Sequence, residues 1–214
     1  DLNLFDKTMG QTPLNAAVIF KSTSMVRFLI QHGADTTIAD SACETPLSNA
    51  ISMRNEEIIE ILRKAGANFK KQKPCDSFGM SFLSACSDPN PLDHGKNIDI
   101  IKDTLDSGLN PNYQSTSGRT GLMAVVSVKY PRNSQPLEKA KLLIKRGAKP
   151  DIVDKKGQTA MMIAASMGNL ELVQFLVDNG ADVKIKDKSG QTAINYASRS
   201  DNQDVTSYLS SKGG

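Results

Sequence analysis

The sequence is poor in the residues that build large cores, disulfide frameworks and metal sites. Its 214 residues contain no Trp, aromatic residues make up 5% of the chain, and there are three Cys and two His. This aromatic content is low for a single globular core in a chain of this length. An odd number of Cys, three, does not indicate a disulfide framework. No run of eighteen apolar residues occurs, so the sequence predicts no membrane-spanning helix and no membrane partner.

Catalytic and cofactor-binding motifs are also missing. There is no Cys-x-x-Cys pair, no His-Glu-x-x-His, no Gly-x-x-x-x-Gly-Lys loop and no Gly-x-Ser-x-Gly elbow. His32 precedes a glycine that ends a helix, so we expect it to interact with that helix C-terminus. His94, near Asp88 and Asp93, is expected to be a surface residue. We therefore expect no enzyme activity, no catalytic or metal-binding residues and no cofactor.

What the chain does contain is one pattern repeated six times. Residues 157–182 show it most clearly: a small-residue helix that Thr159 can cap, a glycine turn, an apolar helix, and Gly180 to end that helix. The closing glycines lie 33 to 42 residues apart, at Gly33, Gly66, Gly108, Gly147, Gly180 and Gly213. The pattern predicts a helical hairpin repeated with local insertions.

The repeated residues carry a family resemblance. Thr-Pro-Leu at 12–14 and 45–47, and Gly-Ala-Asp at 33–35 and 180–182, are similar to the signatures of ankyrin repeats. The signature histidine is absent from every repeat, whereas a hydroxyl that can cap the first helix is always present, at Thr12, Thr45, Ser81, Thr120, Thr159 and Thr192. The resemblance implies an all-α repeat solenoid, an ankyrin-like stack of helix-turn-helix units with short β-turn or hairpin tips.

We expect the whole chain, residues 1–214, to form a single ankyrin-repeat domain. The predicted units span about 6–35, 40–68, 76–110, 115–149, 154–182 and 187–214. Each unit opens at a turn tip, at Gly10, Cys43, Gly79, Gly118, Gly157 and Gly190. Insertions at 88–97 and 129–136 interrupt the third and fourth units at the same site, so we expect them to form a lobe on one edge. The outer flank of the first unit is expected to be polar, with Lys21, Arg27 and Gln31.

The cysteines have two interpretations. Cys86 takes the place that alanine holds at Ala17, Ala50 and Ala164, which predicts a small buried apolar residue. Cys75 precedes the same helix, and a Cys75–Cys86 bridge remains an alternative.

Candidate protein-binding residues follow from the resemblance, which implies a concave face made of turn tips and first helices. In the first half this face holds large apolar residues, and in the second half it becomes basic. Burying large apolar side chains against a partner is favourable, so these residues indicate a protein contact. The alternative is that Ile19 and Phe20 only cover the end of their own helix. The candidates, with two from the insertions, are Met9, Ile19, Phe20, Met53, Phe78, Met80, His94, Tyr130, Lys155 and Lys156.

Nucleic-acid binding has weaker support. The formal charge is only +3, and the basic side chains Lys139, Lys141, Lys145, Arg146 and Lys149 lie on a predicted second helix, whose outward face is usually solvated. No aromatic residues are interleaved with the basic positions of the concave face. We expect no nucleic-acid partner.

The expected function is a protein–protein interaction module. Because six repeats account for the chain and leave no second module, the specific hypothesis is a stand-alone inhibitor or sequestering protein that occludes one partner, such as an immunity-type inhibitor of an enzyme. An adaptor that bridges two proteins is the alternative, and a nucleic-acid binder or an enzyme is more remote. We expect a monomer. Since the chain starts at Asp1, we expect its native start to be missing, which leaves a cytoplasmic, periplasmic or secreted location open.

Overall fold

The computed structural model describes residues 2–6, 10–42, 44–68, 76–88, 96–128 and 136–214. These ranges are helical with turns and contain no strand. The helices follow one another in pairs, which we number as repeats one to six. In chain order they are α1 (Pro13–Ile19), α2 (Thr23–Gln31), α3 (Pro46–Ser52), α4 (Glu56–Lys64), α5 (Asp76–Ser87), α6 (Lys96–Asp106), α7 (Gly121–Val126), α8 (Pro136–Lys145), α9 (Ala160–Met167), α10 (Leu170–Asp178), α11 (Ala193–Arg199) and α12 (Gln203–Ser211).

Side-chain caps start the first helix of most repeats, as the sequence predicts. The Thr159 hydroxyl accepts a hydrogen bond from the backbone N–H of Met162 at 3.3 Å, and satisfies one of the free amides at the start of α9. Thr12, Thr45 and Thr120 make the same bond, at 3.2, 3.1 and 3.3 Å. These caps fix where the tip ends and the helix begins.

The closing glycines end the second helices in the left-handed region. Their φ angles lie between 79° and 97°, at Gly33, Gly66, Gly108, Gly147, Gly180 and Gly213. This conformation is strained for a residue with a Cβ atom, which explains why glycine recurs there. The left-handed conformation expected of the closing glycines is therefore confirmed.

Repeat three departs from the predicted pattern at its start. Gly79 is expected at a turn tip and Ser81 at a helix cap, but both lie inside α5, which begins at Asp76. Glycine within a helix is less favourable than alanine by about 1 kcal/mol. Burial of Phe82, with 0% of its surface exposed, and of Leu83, with 7% exposed, contributes more than this in the same helix.

The structure divides into two compact units. The first comprises Asp1–Phe82 and Lys102–Leu109, and the second comprises Leu83–Ile101 and Asn110–Gly214. The prediction of a single domain over 1–214, with its unit boundaries, stays a prediction.

In the first compact unit, α1 packs against α2 and α3, and α2 packs against α4. The core contains Leu14, Leu47, Ile58 and Leu62, each with at most 1% of its surface exposed. Arg63 links α4 to the end of α6, because its guanidinium donates to the Asp103 carbonyl at 2.7 Å and to the Ser107 hydroxyl at 2.9 Å.

In the second compact unit, α9 packs against α7, α10 and α11, and α11 packs against α12. Small and flexible side chains let these helices approach closely, and Met161, Met162, Ala164 and Ala165 have at most 1% of their surface exposed. A core of this kind needs few aromatic rings, in agreement with the composition.

Three residues between paired helices carry backbone strain. Lys21, Arg54 and Asp201 have φ angles of 55°, 55° and 57°, at the place where the fifth repeat has Gly168 with a φ of 71°. The tight turn between the helices requires this conformation whichever residue is present. Side chains other than glycine adopt it at a free-energy cost.

Candidate protein-binding surfaces

The turn tips are closed by their own aspartates. The Asp154 N–H donates to the Gln158 carbonyl at 3.0 Å, and the Asp154 carboxylate accepts from the backbone N–H groups of Lys156 and Gln158 at 2.8 and 2.9 Å. Asp40 and Asp187 make corresponding bonds in repeats two and six. These carboxylates hold the tips in shape through internal hydrogen bonds. Contacts with a partner therefore fall to other side chains.

Neighbouring tips contact one another through their backbones. The Lys155 N–H donates to the Ser117 carbonyl at 3.0 Å, and the Lys188 N–H donates to the Lys156 carbonyl at 3.1 Å. A Cβ atom at Gly157 would lie 2.8 Å from the Lys188 nitrogen, so only glycine permits this approach. The tips of repeats four to six therefore form a hydrogen-bonded edge in the second unit.

Among the predicted apolar site residues whose side chains the structure describes, Phe20 is the one that is exposed to solvent. Phe20 has 81% of its surface exposed, whereas Ile19 and Met53 are half-buried. Phe20 is the C-cap residue of α1, so its backbone is held in place while its side chain projects. Met9, His94 and Tyr130 lie outside the described residues, as do the side chains of Phe78 and Met80. The backbones of Phe78 and Met80 belong to α5, not to a turn tip as the sequence predicts.

Two exposed apolar side chains on α2 are absent from the sequence predictions. Met25 and Phe28 have 48% and 51% of their surfaces exposed. The predicted polar residues Lys21, Arg27 and Gln31 are exposed as well, so the flank of repeat one is mixed and not simply polar. We name Phe20, Met25 and Phe28 the apolar flank.

Register along the repeats shows why the apolar flank is unusual. Met25 lies eight residues before its closing glycine, as do Ile58, Leu172 and Val205 in repeats two, five and six. Those three residues have at most 1% of their surface exposed. Repeat one thus exposes a position that repeats two, five and six bury. Counting back from the closing glycines predicts that Met25 is buried, so the sequence pattern gives no signal of its exposure.

The edge of α2 next to the apolar flank is already paired. Arg27 contacts Glu57 at 3.3 Å, and the Thr23 hydroxyl donates to the other Glu57 oxygen at 3.2 Å. His32 caps the end of α2, where its Nδ1 is 2.8 Å from the Phe28 carbonyl and its ring centroid is 4.1 Å from that of Phe28. The expected contact of His32 with a helix C-terminus is confirmed.

The predicted basic residues are exposed in the second unit. Lys155 and Lys156 project from the tip of repeat five, and Lys188 projects from the neighbouring tip. Arg199 lies at the end of α11, where its guanidinium donates to the Gln191 side chain at 3.2 Å. The backbone contact places Lys156 and Lys188 on adjacent tips, and their role in binding a partner stays a prediction.

Tyr196 is a central residue of this surface that sequence reasoning missed. Its hydroxyl accepts from Gln158 Nε2 at 2.7 Å and donates to Asp187 Oδ2 at 2.7 Å. Partial burial, followed by the hydrogen bond to Asp187, raises the pKa of Tyr196 above its ordinary value. The same hydrogen bond is the main reason that the pKa of Asp187 is lowered. Tyrosine is thus held as a neutral donor between two repeats.

Lys139 does not belong to an exposed basic stripe. Only 5% of its surface is exposed, and its Nζ donates to the carbonyls of Ala85 and Asp88 at 2.9 and 2.8 Å. Lys139 also lies eight residues before its closing glycine, the register that is buried in repeats two, five and six. It caps the C-terminal end of α5, and the prediction that it lines an outward face is wrong.

The base of the first insertion is held by the same group of residues. Asn97 Nδ2 donates to Asp88 Oδ2 at 2.8 Å, which joins the end of α5 to the start of α6. Residues 89–95 and 129–135, which contain most of the predicted lobe, lie outside the described residues.

Cys86 is a buried residue of α5, as its alanine-like position predicts. Burial raises the pKa of its thiol well above the ordinary value, and the Lys139 ammonium lowers it to a smaller extent. This environment disfavours the reactive thiolate. Cys75, its alternative bridging partner, lies outside the described residues.

In the described ranges, no group of three or more His, Cys, Asp or Glu residues is arranged to hold a metal ion. Within the same ranges, no helix combines the length and apolar character required to cross a bilayer.

Comparison with known sequences identifies the family. The family model for ankyrin repeats matches three times, at residues 1–73, 91–187 and 128–214. The chain therefore belongs to the ankyrin repeat family.

Several relatives are known by sequence. Ankyrin repeat protein FPV223 of Fowlpox virus (strain NVSL) is 30% identical over 122 residues, which cover 57% of this chain and 79% of the viral protein. Protein lin-12 of Caenorhabditis elegans is 25% identical over 188 residues, 80% of this chain and 12% of lin-12. Alpha-latrotoxin-Lh1a of Latrodectus hasselti is 29% identical over 89 residues. The chain spans only 6% of that toxin, so it matches a small part of this relative.

Solved structures show the same fold. The ankyrin repeat domain of Bcl-3, described as a member of the IkappaB protein family, is 27% identical with a TM-score of 0.70, over 96% of this chain and 88% of that one. An ankyrin repeat domain from Acinetobacter baumannii AYE is 22% identical with a TM-score of 0.72, over 94% and 97%. Ankyrin repeats are protein–protein interaction modules and are not typically catalytic.

Proposed function

We propose that this chain binds one partner protein and inhibits or sequesters it by covering part of its surface. The observation that carries the proposal is the apolar flank of repeat one. Phe20, Met25 and Phe28 expose 81%, 48% and 51% of their surfaces to water. Met25 and Phe28 lie three residues apart on one face of α2, and Phe20 ends the preceding helix. Exposed large apolar side chains that cluster are typical of contact surfaces.

The free energy gained by burying these three side chains is appropriate for the centre of an interface. Covering the exposed parts of the three side chains would contribute roughly 3–6 kcal/mol in total. A micromolar complex requires about 8 kcal/mol after the loss of translational freedom has been offset. The apolar flank can therefore be the energetic core of a contact, and polar groups around it have to supply the rest.

Preorganisation supports tight covering of a partner. Phe20 follows α1 directly, and Met25 and Phe28 lie on α2, which His32 caps at its end. Arg27 and Glu57 hold the neighbouring edge. A preformed surface loses little conformational entropy when it binds.

An adaptor is the second candidate, and the basic surface of the second unit favours it. Lys155, Lys156 and Lys188 differ in chemistry from the apolar flank. If one partner contacts both surfaces, the chain acts as an inhibitor or sequestering protein, for example of an enzyme. If each surface binds a different partner, the chain acts as an adaptor.

The test begins with capture of the partner from the native source, followed by calorimetric titration. Replacing both Phe20 and Phe28 by alanine is expected to weaken binding about 100-fold, which corresponds to roughly 2.7 kcal/mol. Lys64→Ala is the control, because it shortens another exposed side chain of the same unit outside the apolar flank. The proposal is wrong if the double variant, shown to be folded by circular dichroism, binds as tightly as the wild type.

A further inference from the structure

We infer that the basic surface of repeats five and six binds an acidic segment of a protein, one that carries several Asp or Glu side chains. The surface comprises Lys155, Lys156, Lys188, Arg199 and Tyr196, and we name it the basic tip surface. The inference deepens the proposed function, because it states the chemistry of a second contact region on the partner.

The cations of this surface are brought together by the backbone. Lys188 N–H donates to the Lys156 carbonyl at 3.1 Å, so the two lysines are direct neighbours on adjacent tips. Gly157 permits this approach, since a Cβ atom there would lie 2.8 Å from the Lys188 nitrogen. Lys155 precedes Lys156 on the same tip, and all three side chains are exposed.

Nearby carboxylates are engaged in other bonds. Asp154 accepts from two backbone N–H groups of its own tip. Asp187 accepts from the backbone N–H groups of Ser189 and Gln191 and from the Tyr196 hydroxyl. Among the described residues, no ion pair involves Lys155, Lys156, Lys188 or Arg199. Arg199 already interacts electrostatically with Asp187, whereas the positive charges of Lys155, Lys156 and Lys188 remain available to carboxylates of a partner.

Tyr196 gives the surface a fixed aromatic centre. Gln158 and Asp187, which belong to different repeats, hold its hydroxyl at 2.7 Å each. Since both hydrogen bonds are internal, the ring rather than the hydroxyl is left for an apolar contact. Arg199 lies three residues further along α11, on the same helix face, and Gln191 orients it.

The functional groups on the surface determine the class of ligand. Ammonium and guanidinium groups donate hydrogen bonds and accept none, so they match the carboxylates of an acidic peptide. Single-stranded nucleic acid would favour several stacking rings among the cations, whereas Tyr196 is the one aromatic residue of the basic tip surface. A partner segment with carboxylates around one apolar side chain fits the arrangement.

The direct test is fluorescence anisotropy with a labelled ten-residue oligoglutamate peptide that contains one central leucine. The full chain is expected to bind this peptide at low salt. Lys156→Glu combined with Lys188→Glu is expected to weaken binding by about 10-fold or more, because attraction becomes repulsion. Lys141→Glu combined with Lys145→Glu is the matched control: it changes the net charge equally, on exposed positions of α8, and is expected to change affinity less than twofold.

The salt dependence of peptide affinity distinguishes the role of the lysine charges from the role of the Tyr196 ring. Removing lysines should reduce the slope of log affinity against log salt concentration. Tyr196→Phe removes the hydroxyl that holds the ring, so it should weaken binding about threefold and leave that slope unchanged. Loss of folding would alter both quantities, and circular dichroism of each variant identifies it.

Three results would overturn the inference: no binding of the peptide, equal loss in the α8 control, or tighter binding of a ten-nucleotide single-stranded DNA. These results are distinct from failure of the proposed function. If the peptide does not bind but the Phe20 and Phe28 substitutions still weaken the partner complex, only the acidic-segment inference fails.

Discussion

Replacing Lys21 with glycine is expected to stabilise the protein. Lys21 has a φ of 55°, and its exposed side chain follows Phe20 at the turn between α1 and α2. In this left-handed conformation, a residue with a Cβ atom is strained by roughly 1–2 kcal/mol of free energy. Glycine avoids this strain, but its larger loss of conformational entropy on folding costs about 0.5–1 kcal/mol. The difference favours Lys21→Gly by about 0.5–1 kcal/mol.

The assay is thermal unfolding followed by circular dichroism. A gain of this size corresponds to a rise of about 1–4 °C in the midpoint for a chain of this length. Lys102→Gly is the matched control, since it replaces an exposed lysine inside α6 and should lower stability by about 1 kcal/mol. If Lys21→Gly lowers the midpoint as the control does, the assignment of strain to this turn is wrong.

Two further predictions concern the second unit. Lys139→Ala should destabilise it by about 2–4 kcal/mol in urea unfolding, because the carbonyls of Ala85 and Asp88 lose their donor and a cavity forms. Lys139→Met should be milder since it keeps the volume, and an alanine variant as stable as the wild type would contradict the capping role. The pKa of Asp187 is lowered chiefly by Tyr196, so its contribution to stability is present above the ordinary aspartate pKa and is lost as pH falls through the lowered value. Tyr196→Phe should raise the Asp187 pKa in an NMR titration, and an unchanged value would refute the coupling.

Local signals in the sequence were sufficient to locate helix caps and closing glycines. A threonine cap and a closing glycine each act within one turn of helix, so Thr159 and Gly180 could be assigned without tertiary information. At α5 local reading failed, because Gly79 resembles the tip glycines of other repeats. The buried side chains of Phe82 and Leu83 decide that this glycine is helical.

Much of the candidate site depends on neighbours that the sequence does not reveal. Met25 and Lys139 share one register, yet Met25 is exposed in repeat one and Lys139 is buried in repeat four. Tyr196 is positioned by partners 38 and nine residues away, Gln158 and Asp187. Phe20 and Lys156 were predictable because their exposure follows from a helix end and a turn tip.

Titration of the partner's own activity tests the central claim most directly. Occlusion predicts that, with the partner well above the dissociation constant, the activity falls in proportion to added protein until the two are equimolar. With the partner well below the dissociation constant, the Phe20→Ala, Phe28→Ala variant is expected to require about 100-fold more protein for the same effect. A partner that is fully bound, as shown by calorimetry in the same buffer, and yet keeps its full activity would contradict occlusion and favour the adaptor.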